Sequence, residues 1–138
     1  FTYSGHPVAA AVALKTLELY EERNLYEHVR RVTPRFQRRL HALADHPLVG
    51  EARGIGLVGA CELVRNKSTR ERFDAKLAVP AKCMAMCQEH GLIVRAIGDS
   101  VVLCPPLIVT EADIDEILDC YERGLDDTLA WAQKEGLI

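Results

Sequence analysis

One arginine stands in an otherwise apolar segment of the chain. Arg95 lies within residues 92–97, LIVRAI, a pattern typical of a strand. Burying an unpaired guanidinium is very costly, so such an arginine either reaches water or meets an anion. Its planar fork of N–H donors suits the two oxygens of a carboxylate. The sequence leaves three alternatives open: a bound carboxylate, an acidic partner within the chain, or an outward-facing position in solvent.

The opening segment, residues 1–7 (FTYSGHP), combines hydroxyl groups, a phenol, a glycine and an imidazole ahead of a predicted helix. Hydroxyls and free backbone N–H groups near a helix start suit a phosphate group. Taken alone, the segment favours the simpler interpretation of an N-cap and a turn. No initiator Met and no targeting segment precede it, so we expect the chain to be the C-terminal part of a longer protein.

Three glycines spell the dinucleotide-binding pattern G-x-G-x-x-G: Gly54, Gly56 and Gly59. That pattern functions where it follows a strand and opens a helix, so that the helix N-terminus receives the pyrophosphate. Here residues 58–64 alternate like a strand and no helical pattern follows. We therefore interpret the motif as a glycine-rich hairpin.

The chain contains five cysteines: Cys61, Cys83, Cys87, Cys104 and Cys120. Their odd number and the lack of a secretion signal indicate reduced thiols and a cytoplasmic protein. Cys83 and Cys87 lie one helical turn apart, but only His90 is close enough in sequence to add a third metal ligand. We expect small apolar thiols packed in a core and no metal site.

Composition and charge exclude several classes of protein. The chain has 138 residues, with 17 Lys+Arg against 20 Asp+Glu and a net charge of −3. This balance argues against a dedicated binder of nucleic acid or of an anionic membrane, because such domains are usually basic. Apolar residues make up 49% of the chain, enough for one core. No apolar run approaches the roughly 18 residues of a membrane span.

The first two predicted elements are helices. One begins at Pro7, and its first half is so rich in Ala and Val that we expect it to be buried against a neighbour. The second follows Asn24 and carries an apolar stripe from Leu25 to Leu43, with a kink or break expected near Thr33 because Pro34 follows. Its basic side is expected to be solvated; it comprises Arg30, Arg31, Arg35, Arg38 and Arg39.

The remaining elements alternate between strand pairs and helices. Strands are predicted at residues 49–53, 57–64, 92–96 and 100–103, and helices at residues 79–90 and from Thr110 onward. Asp113 lies three residues after Thr110 and completes a variant of the capping box. Short antiparallel strands covered on one side by helices make an α+β fold.

Two of these segments resemble the class III aminotransferases, which are enzymes of fold type I that depend on pyridoxal 5'-phosphate (PLP). Residues 2–9, TYSGHPVA, resemble a signature of that family, and residues 91–108, GLIVRAIGDSVVLCPPLI, resemble its C-terminal strands. The resemblance is strongest to the ω-amino acid or amine:pyruvate transaminases. It runs along the whole chain and covers about the last third of such an enzyme.

The resemblance implies roles for particular residues. Thr2 matches the threonine that contacts the PLP phosphate across a dimer interface, and Phe1 and Tyr3 flank it at the cofactor and substrate sites. Arg95 matches the mobile arginine that binds the carboxylate of pyruvate or alanine. His6 and Pro7, which begin the helix, are assigned structural roles.

The resemblance also implies an architecture and partners. Residues 1–24 would form the junction with an upstream large domain, and residues 25–138 the C-terminal small domain of a homodimer or higher oligomer. Its substrates would be a small amine and a 2-oxo acid. Neither nucleic acid nor a membrane is expected as a partner.

The family's Schiff-base lysine lies upstream of the first motif, so the 138 residues alone are predicted to be inactive. The chain's own lysines fall on polar helix faces or charged loops: Lys15, Lys67, Lys76, Lys82 and Lys134. Two alternatives remain open. One is an inactive standalone domain with a binding or structural role, and the other is a class III enzyme acting on polyamines, taurine or 4-aminobutyrate.

Overall fold

The computed structural model of the chain describes residues 4–138. The helices are α1 (Pro7–Glu22), α2 (Leu25–Ala42), α3 (Val79–Glu89) and α4 (Glu111–Lys134), and the strands are β1 (Val49–Ile55), β2 (Val58–Leu63), β3 (Arg95–Ile97) and β4 (Ser100–Leu103). Short 3-10 turns lie at Leu43–Asp45 and Ala75–Leu77. This order confirms the predicted α+β fold. None of the described helices is long and apolar enough to cross a membrane.

The strands form one antiparallel sheet in the order β1-β2-β4-β3. Alternation along each strand sends one set of side chains toward the helices and the other set to the opposite side, which we call the open face. The open face comprises Glu51, Arg53, Ile55, Val58, Ala60, Glu62, Arg95, Ile97, Ser100 and Val102. Exposure of 82% at Ile55 and 53% at Ile97 shows that apolar side chains on it are accessible.

The core lies between the helices and the covered face of the sheet. Its largest fully buried side chains include Phe36 and Leu40 of α2 and Leu118 and Tyr121 of α4. The glycine-rich segment is the β1–β2 hairpin, as predicted, and its third glycine, Gly59, lies in strand β2 and does not open a helix. Gly59 is needed there for packing, because a Cβ at this position would lie 2.4 Å from a methyl carbon of Leu40.

The caps of two helices confirm the sequence prediction. Thr110 and Asp113 form a reciprocal capping box at the start of α4: each side chain accepts the other residue's backbone N–H. Gly91 follows α3 with a φ of +84°, a left-handed conformation in which glycine ends helices at little cost.

Of the kink or break expected near Thr33, the break is wrong. Helix α2 runs through Pro34 without interruption, although a proline removes one backbone hydrogen bond. Val32 and Phe36 on either side are buried, so tertiary packing holds both halves of the helix on the sheet. The basic side of α2 is not simply solvated either, because Arg35 and Arg39 form ion pairs with carboxylates of α4.

Helix α1 begins at Pro7 as predicted but is not buried within this chain. None of its residues is buried, and Val12 is 61% exposed. Its contacts with the rest of the chain lie at its C-terminal end, where the rings of Tyr20 and Tyr26 meet edge to face at 6.0 Å. The expectation that its apolar first half packs against another domain or subunit stays a prediction.

The cysteines are free, and all but Cys104 are buried. This confirms the prediction of core thiols for Cys61, Cys83, Cys87 and Cys120. Burial raises the pKa of Cys61 to about 12, and a hydrogen bond with Cys83, together with burial, raises the pKa of Cys87. These two thiols are therefore protonated at neutral pH and unsuited to nucleophilic chemistry.

Candidate functional site

The open face presents Arg95 at its edge. Arg95 begins β3, the edge strand, and is paired across the ladder with Val102 of β4. Its side chain is exposed, and it forms no ion pair with any residue in the described range 4–138. Three environments were left open for Arg95: a bound carboxylate, an acidic partner within the chain, or solvent. The structure therefore excludes an acidic partner within residues 4–138. It leaves a guanidinium that is accessible to a ligand or to water.

A row of paired residues crosses the sheet through Arg95. It runs from the β1 edge to the β3 edge as Arg53, Ala60, Val102 and Arg95. A shallow depression of about 260 Å³ is lined by Arg53, Ala60 and Val102 of this row, and Arg95 lies next to Val102 in the ladder. Ile55 and Val58, which pair at the hairpin end of β1 and β2, add apolar lining to the depression. The face therefore offers a cation beside an apolar surface.

The second arginine of the row is already engaged. Arg53 lies across β2, and its Nη2 donates to Ser100 Oγ on β4 at 3.3 Å. Its Nη1 donates to Glu62 Oε2 at 3.4 Å and lies 3.8 Å from Glu51. Because Arg53 is held by two carboxylates and a hydroxyl, Arg95 is the arginine of this face that is available for an anion.

An ion network borders the open face. Glu62 forms ion pairs with two arginines. Its Oε2 lies 3.4 Å from Nη1 of Arg53, and its Oε1 lies 3.7 Å from Nη2 of Arg72. Arg72 in turn reaches Asp99 at 3.3 Å, in the turn between β3 and β4. This network was not predicted from the sequence. The period-two pattern could have placed Arg53 and Glu62 on one face, but Arg72 lies in an irregular loop whose course no local signal predicts.

The predicted cofactor residues Phe1 and Thr2, and the substrate residue Tyr3, lie outside the described residues. The described residues begin with a turn at Ser4 and Gly5. The next residue, His6, caps α1, because its Nδ1 accepts the backbone N–H of Ala9 at 3.4 Å. The first turn of α1 is exposed. Thr2 lies five residues before the start of α1, where the helix dipole favours an anion, although Pro7 carries no N–H and the N–H of Ala9 is taken by His6.

The lysines lie away from the open face. Lys15 pairs with Glu18 and Glu22 on α1, Lys67 donates to the carbonyls of Ala44 and His46, and Lys82 lies over the ring of Trp131. Lys76 and Lys134 lie in a 3-10 turn and at the end of α4. The sheet face that presents Arg95 therefore carries no lysine among the residues described.

The family profile described as Aminotransferase class-III matches residues 1–125. The chain belongs to this family. It is 51% identical over 131 residues to the putrescine–pyruvate aminotransferase of Pseudomonas aeruginosa, covering 94% of the chain and 28% of that protein. It is 45% identical over 128 residues to a mitochondrial γ-aminobutyrate transaminase of Solanum lycopersicum, covering 93% of the chain and 25% of that protein.

The fold agrees with solved members of the family. The crystal structure of a PLP-bound aminotransferase mutant from Vibrio fluvialis superimposes with a TM-score of 0.89 at 46% identity. The match covers 94% of this chain and 29% of that one. This chain thus spans between a quarter and a third of the length of each relative named.

Proposed function

We propose that this chain is the C-terminal portion of a PLP-dependent ω-transaminase. The enzyme would move an amino group between an amine or ω-amino acid and pyruvate or a similar 2-oxo acid. The observation that carries the proposal is the exposed Arg95, without an ionic partner among residues 4–138, on the open face of a class III aminotransferase fold. Putrescine and γ-aminobutyrate, the substrates in the relatives' names, both carry a terminal amino group, which supports an ω-amino donor.

Arg95 would bind the carboxylate of the 2-oxo acid. Two guanidinium N–H groups donate to the two carboxylate oxygens, which fixes the acid's orientation as well as its position. The depression beside Val102 gives the short carbon chain of such an acid an apolar surface. An amine without a carboxylate offers Arg95 no anion to bind. Because Arg95 is exposed at the sheet edge, its side chain would then turn toward water.

The cofactor would be held at the start of the chain. When bound, PLP would supply an electron sink for the transfer of the amino group. Thr2, with Phe1 beside it, would hold the phosphate across a subunit interface, next to the exposed first turn of α1. Tyr3 would contribute to the substrate side.

The lysine that binds the cofactor covalently is proposed to lie in the part of the relatives that this chain does not cover. We propose that the 138 residues are inactive by themselves. Mixed with PLP and borohydride, the isolated chain should form no stable adduct on one specific lysine.

The proposed assembly places residues 1–24 at the junction with the upstream large domain and residues 25–138 in the small domain. The exposed apolar half of α1 supports this division, because such a surface requires a partner. A homodimer or higher oligomer would complete the cofactor site. The free thiols support a reducing, cytoplasmic compartment.

Arg95→Ala in the full-length enzyme tests the proposal. Truncating one partner of a hydrogen-bonded charge pair costs about 2–5 kcal/mol. The value of kcat/KM for pyruvate or alanine should therefore fall about 30-fold or more, since each 1.4 kcal/mol is a factor of ten. The half-reaction with an amine that lacks a carboxylate should change far less.

Arg38→Ala is the matched control, because Arg38 is also exposed and forms no ion pair within residues 4–138 but lies on α2, away from the sheet. It should leave both half-reactions unchanged. Equal losses on both substrates in Arg95→Ala, with a lower melting temperature, would assign Arg95 to stability and refute the proposal.

A further inference from the structure

The strand that carries Arg95 is weakly held. Strand β3 has three residues, lies at the sheet edge and pairs only with β4. Arg95 forms no ion pair of its own within residues 4–138, so its position over the open face depends on how the β3–β4 hairpin is fixed. The turn of that hairpin consists of Gly98 and Asp99, and Gly98 has a φ of +56°.

Three contacts tie this turn to the rest of the molecule. The backbone N–H of Leu63 donates to the carbonyl of Asp99 at 2.8 Å. The carboxylate of Asp99 lies 3.3 Å from Nη1 of Arg72. On the adjacent residue, the hydroxyl of Ser100 accepts from Arg53 at 3.3 Å.

The two arginines meet at one carboxylate. Glu62, whose side chain is only 22% exposed, lies 3.4 Å from Nη1 of Arg53 and 3.7 Å from Nη2 of Arg72. The charges therefore alternate along a continuous path from β1 through β2 and the loop after it to the hairpin turn. Pairs linked in a network hold their geometry better than isolated surface pairs.

We propose that Asp99 and Arg72 are positioning residues for carboxylate binding by Arg95. Their ion pair holds the hairpin turn against the loop that follows β2, and so keeps the first residue of β3 at the edge of the open face. This inference rests on the proposed function, in which Arg95 binds the carboxylate of the 2-oxo acid.

The test uses the full-length enzyme with Asp99→Asn, Arg72→Gln and the double variant. For each, KM and kcat are measured with pyruvate and with an aldehyde acceptor that carries no carboxylate. Exposed ion pairs are weak, so KM for pyruvate should rise about two- to fivefold in either single variant. The double variant should be no worse than Arg72→Gln alone, because Arg72→Gln already removes the contact with Asp99. Kinetics with the aldehyde should be unchanged.

Arg65→Gln is the matched control. Arg65 pairs with Glu71 at 3.1 Å in the same region of the chain, with similar exposure, but has no link to the hairpin. It should leave both acceptors unaffected. Asn has nearly the size of Asp, so Asp99→Asn changes the charge with little change in packing. Should that variant fail to fold, Arg72→Gln removes the same ion pair from the arginine side.

Equal losses with pyruvate and aldehyde, or an unchanged KM for pyruvate in both single variants, would overturn the positioning role. Arg95→Gln is measured in parallel to separate this result from the proposed function. If Arg95→Gln discriminates between the acceptors and Asp99→Asn does not, only the positioning role is refuted. If Arg95→Gln fails to discriminate, the proposed function is wrong and the positioning role is refuted with it.

Discussion

Asp115 of α4 accepts hydrogen bonds from two arginines of α2, Arg35 and Arg39. Nε of Arg35 lies 2.9 Å and Nη1 of Arg39 3.3 Å from the same carboxylate oxygen, and Nη2 of Arg35 donates to the other oxygen. Arg39 also donates to Asp119, one helical turn further along α4. The contacts fix the two helices in one register on the covered face of the sheet.

Asp115→Asn should lower the melting temperature at pH 7 by a few degrees, because two arginines lose their shared anion. The hydrogen bond from Arg35 lowers the pKa of Asp115 in the folded chain. Its stabilising contribution is therefore present above the unfolded pKa of about 3.9 and is lost as the pH falls through the folded pKa. Thermal melts from pH 7 to pH 2 should show wild type and variant converging at the acidic end.

Glu116→Gln serves as the control for that series, because Glu116 is exposed on the same helix and forms no ion pair within residues 4–138. Its melting temperature should follow wild type across the range. A constant gap between wild type and Asp115→Asn down to pH 2 would show that the carboxylate's charge is not what stabilises the pair of helices.

Gly59→Ala should destabilise the fold through overpacking. The new Cβ would lie 2.4 Å from Cδ2 of Leu40 and 3.3 Å from the ring of Phe36, and both side chains are fully buried. Such overpacking costs about 1–3 kcal/mol, measurable as a lower urea midpoint with an unchanged slope. Combined with Leu40→Ala, the loss should be smaller than the sum of the singles, because the shortened side chain makes room. Additive losses would contradict the predicted clash.

Local signals in the sequence predicted the secondary structure well. The capping pair Thr110 and Asp113, the stop at Gly91 and the alternation along β2 each depend on near neighbours in the chain. The unbroken helix at Pro34 was missed because its integrity depends on packing of Val32 and Phe36 into a core that the local pattern does not describe.

For the site, the sequence identified Arg95 as a candidate anion binder but left open a bound carboxylate, an acidic partner within the chain and a position in solvent. Only the sheet register shows that Arg95 and Arg53 lie in one row, and only the tertiary structure brings Arg72 to Asp99 from a loop. The pairing of the α2 arginines with Asp115 was missed for the same reason, since the partners are about 80 residues apart. Contacts between charged residues that are distant in sequence leave no periodic signal.

The exposed thiol and the buried thiols should differ sharply in how readily a maleimide modifies them. In the folded 138-residue chain, a maleimide at pH 7 should modify Cys104, which is exposed, and spare Cys61, whose pKa burial raises to about 12. In denaturant all five cysteines should react, and Cys104→Ser should abolish labelling of the folded chain. Rapid modification of Cys61 without denaturant, located by mass spectrometry, would contradict its burial.

Thr2→Ala tests the cofactor site in the full-length enzyme. A hydrogen bond from a hydroxyl to a charged acceptor contributes about 1.5–3 kcal/mol, so PLP should be retained roughly one to two decades less tightly, with the fold intact. Thr16→Ala is the control: Thr16 lies on α1, and its hydroxyl donates to the carbonyl of Val12, away from the N-terminal turn. An unchanged PLP affinity in a fluorescence titration of Thr2→Ala would remove Thr2 from the site.

The first half of α1 exposes apolar side chains to water. Val8 and Val12 are 65% and 61% exposed, and Leu14 and Leu17 are similarly accessible, so the isolated chain presents an apolar helix to water. Contiguous apolar surface of this kind marks an interface. The isolated chain should therefore self-associate in analytical ultracentrifugation, and a Val8→Glu/Val12→Glu variant should sediment as a monomer.

In the full-length enzyme the same double substitution should weaken the subunit or domain contact that α1 is proposed to make. Glu21→Gln, on the polar end of α1, should change neither result. A well-behaved monomer of the unmodified chain, with that surface in water, would show that α1 needs no partner.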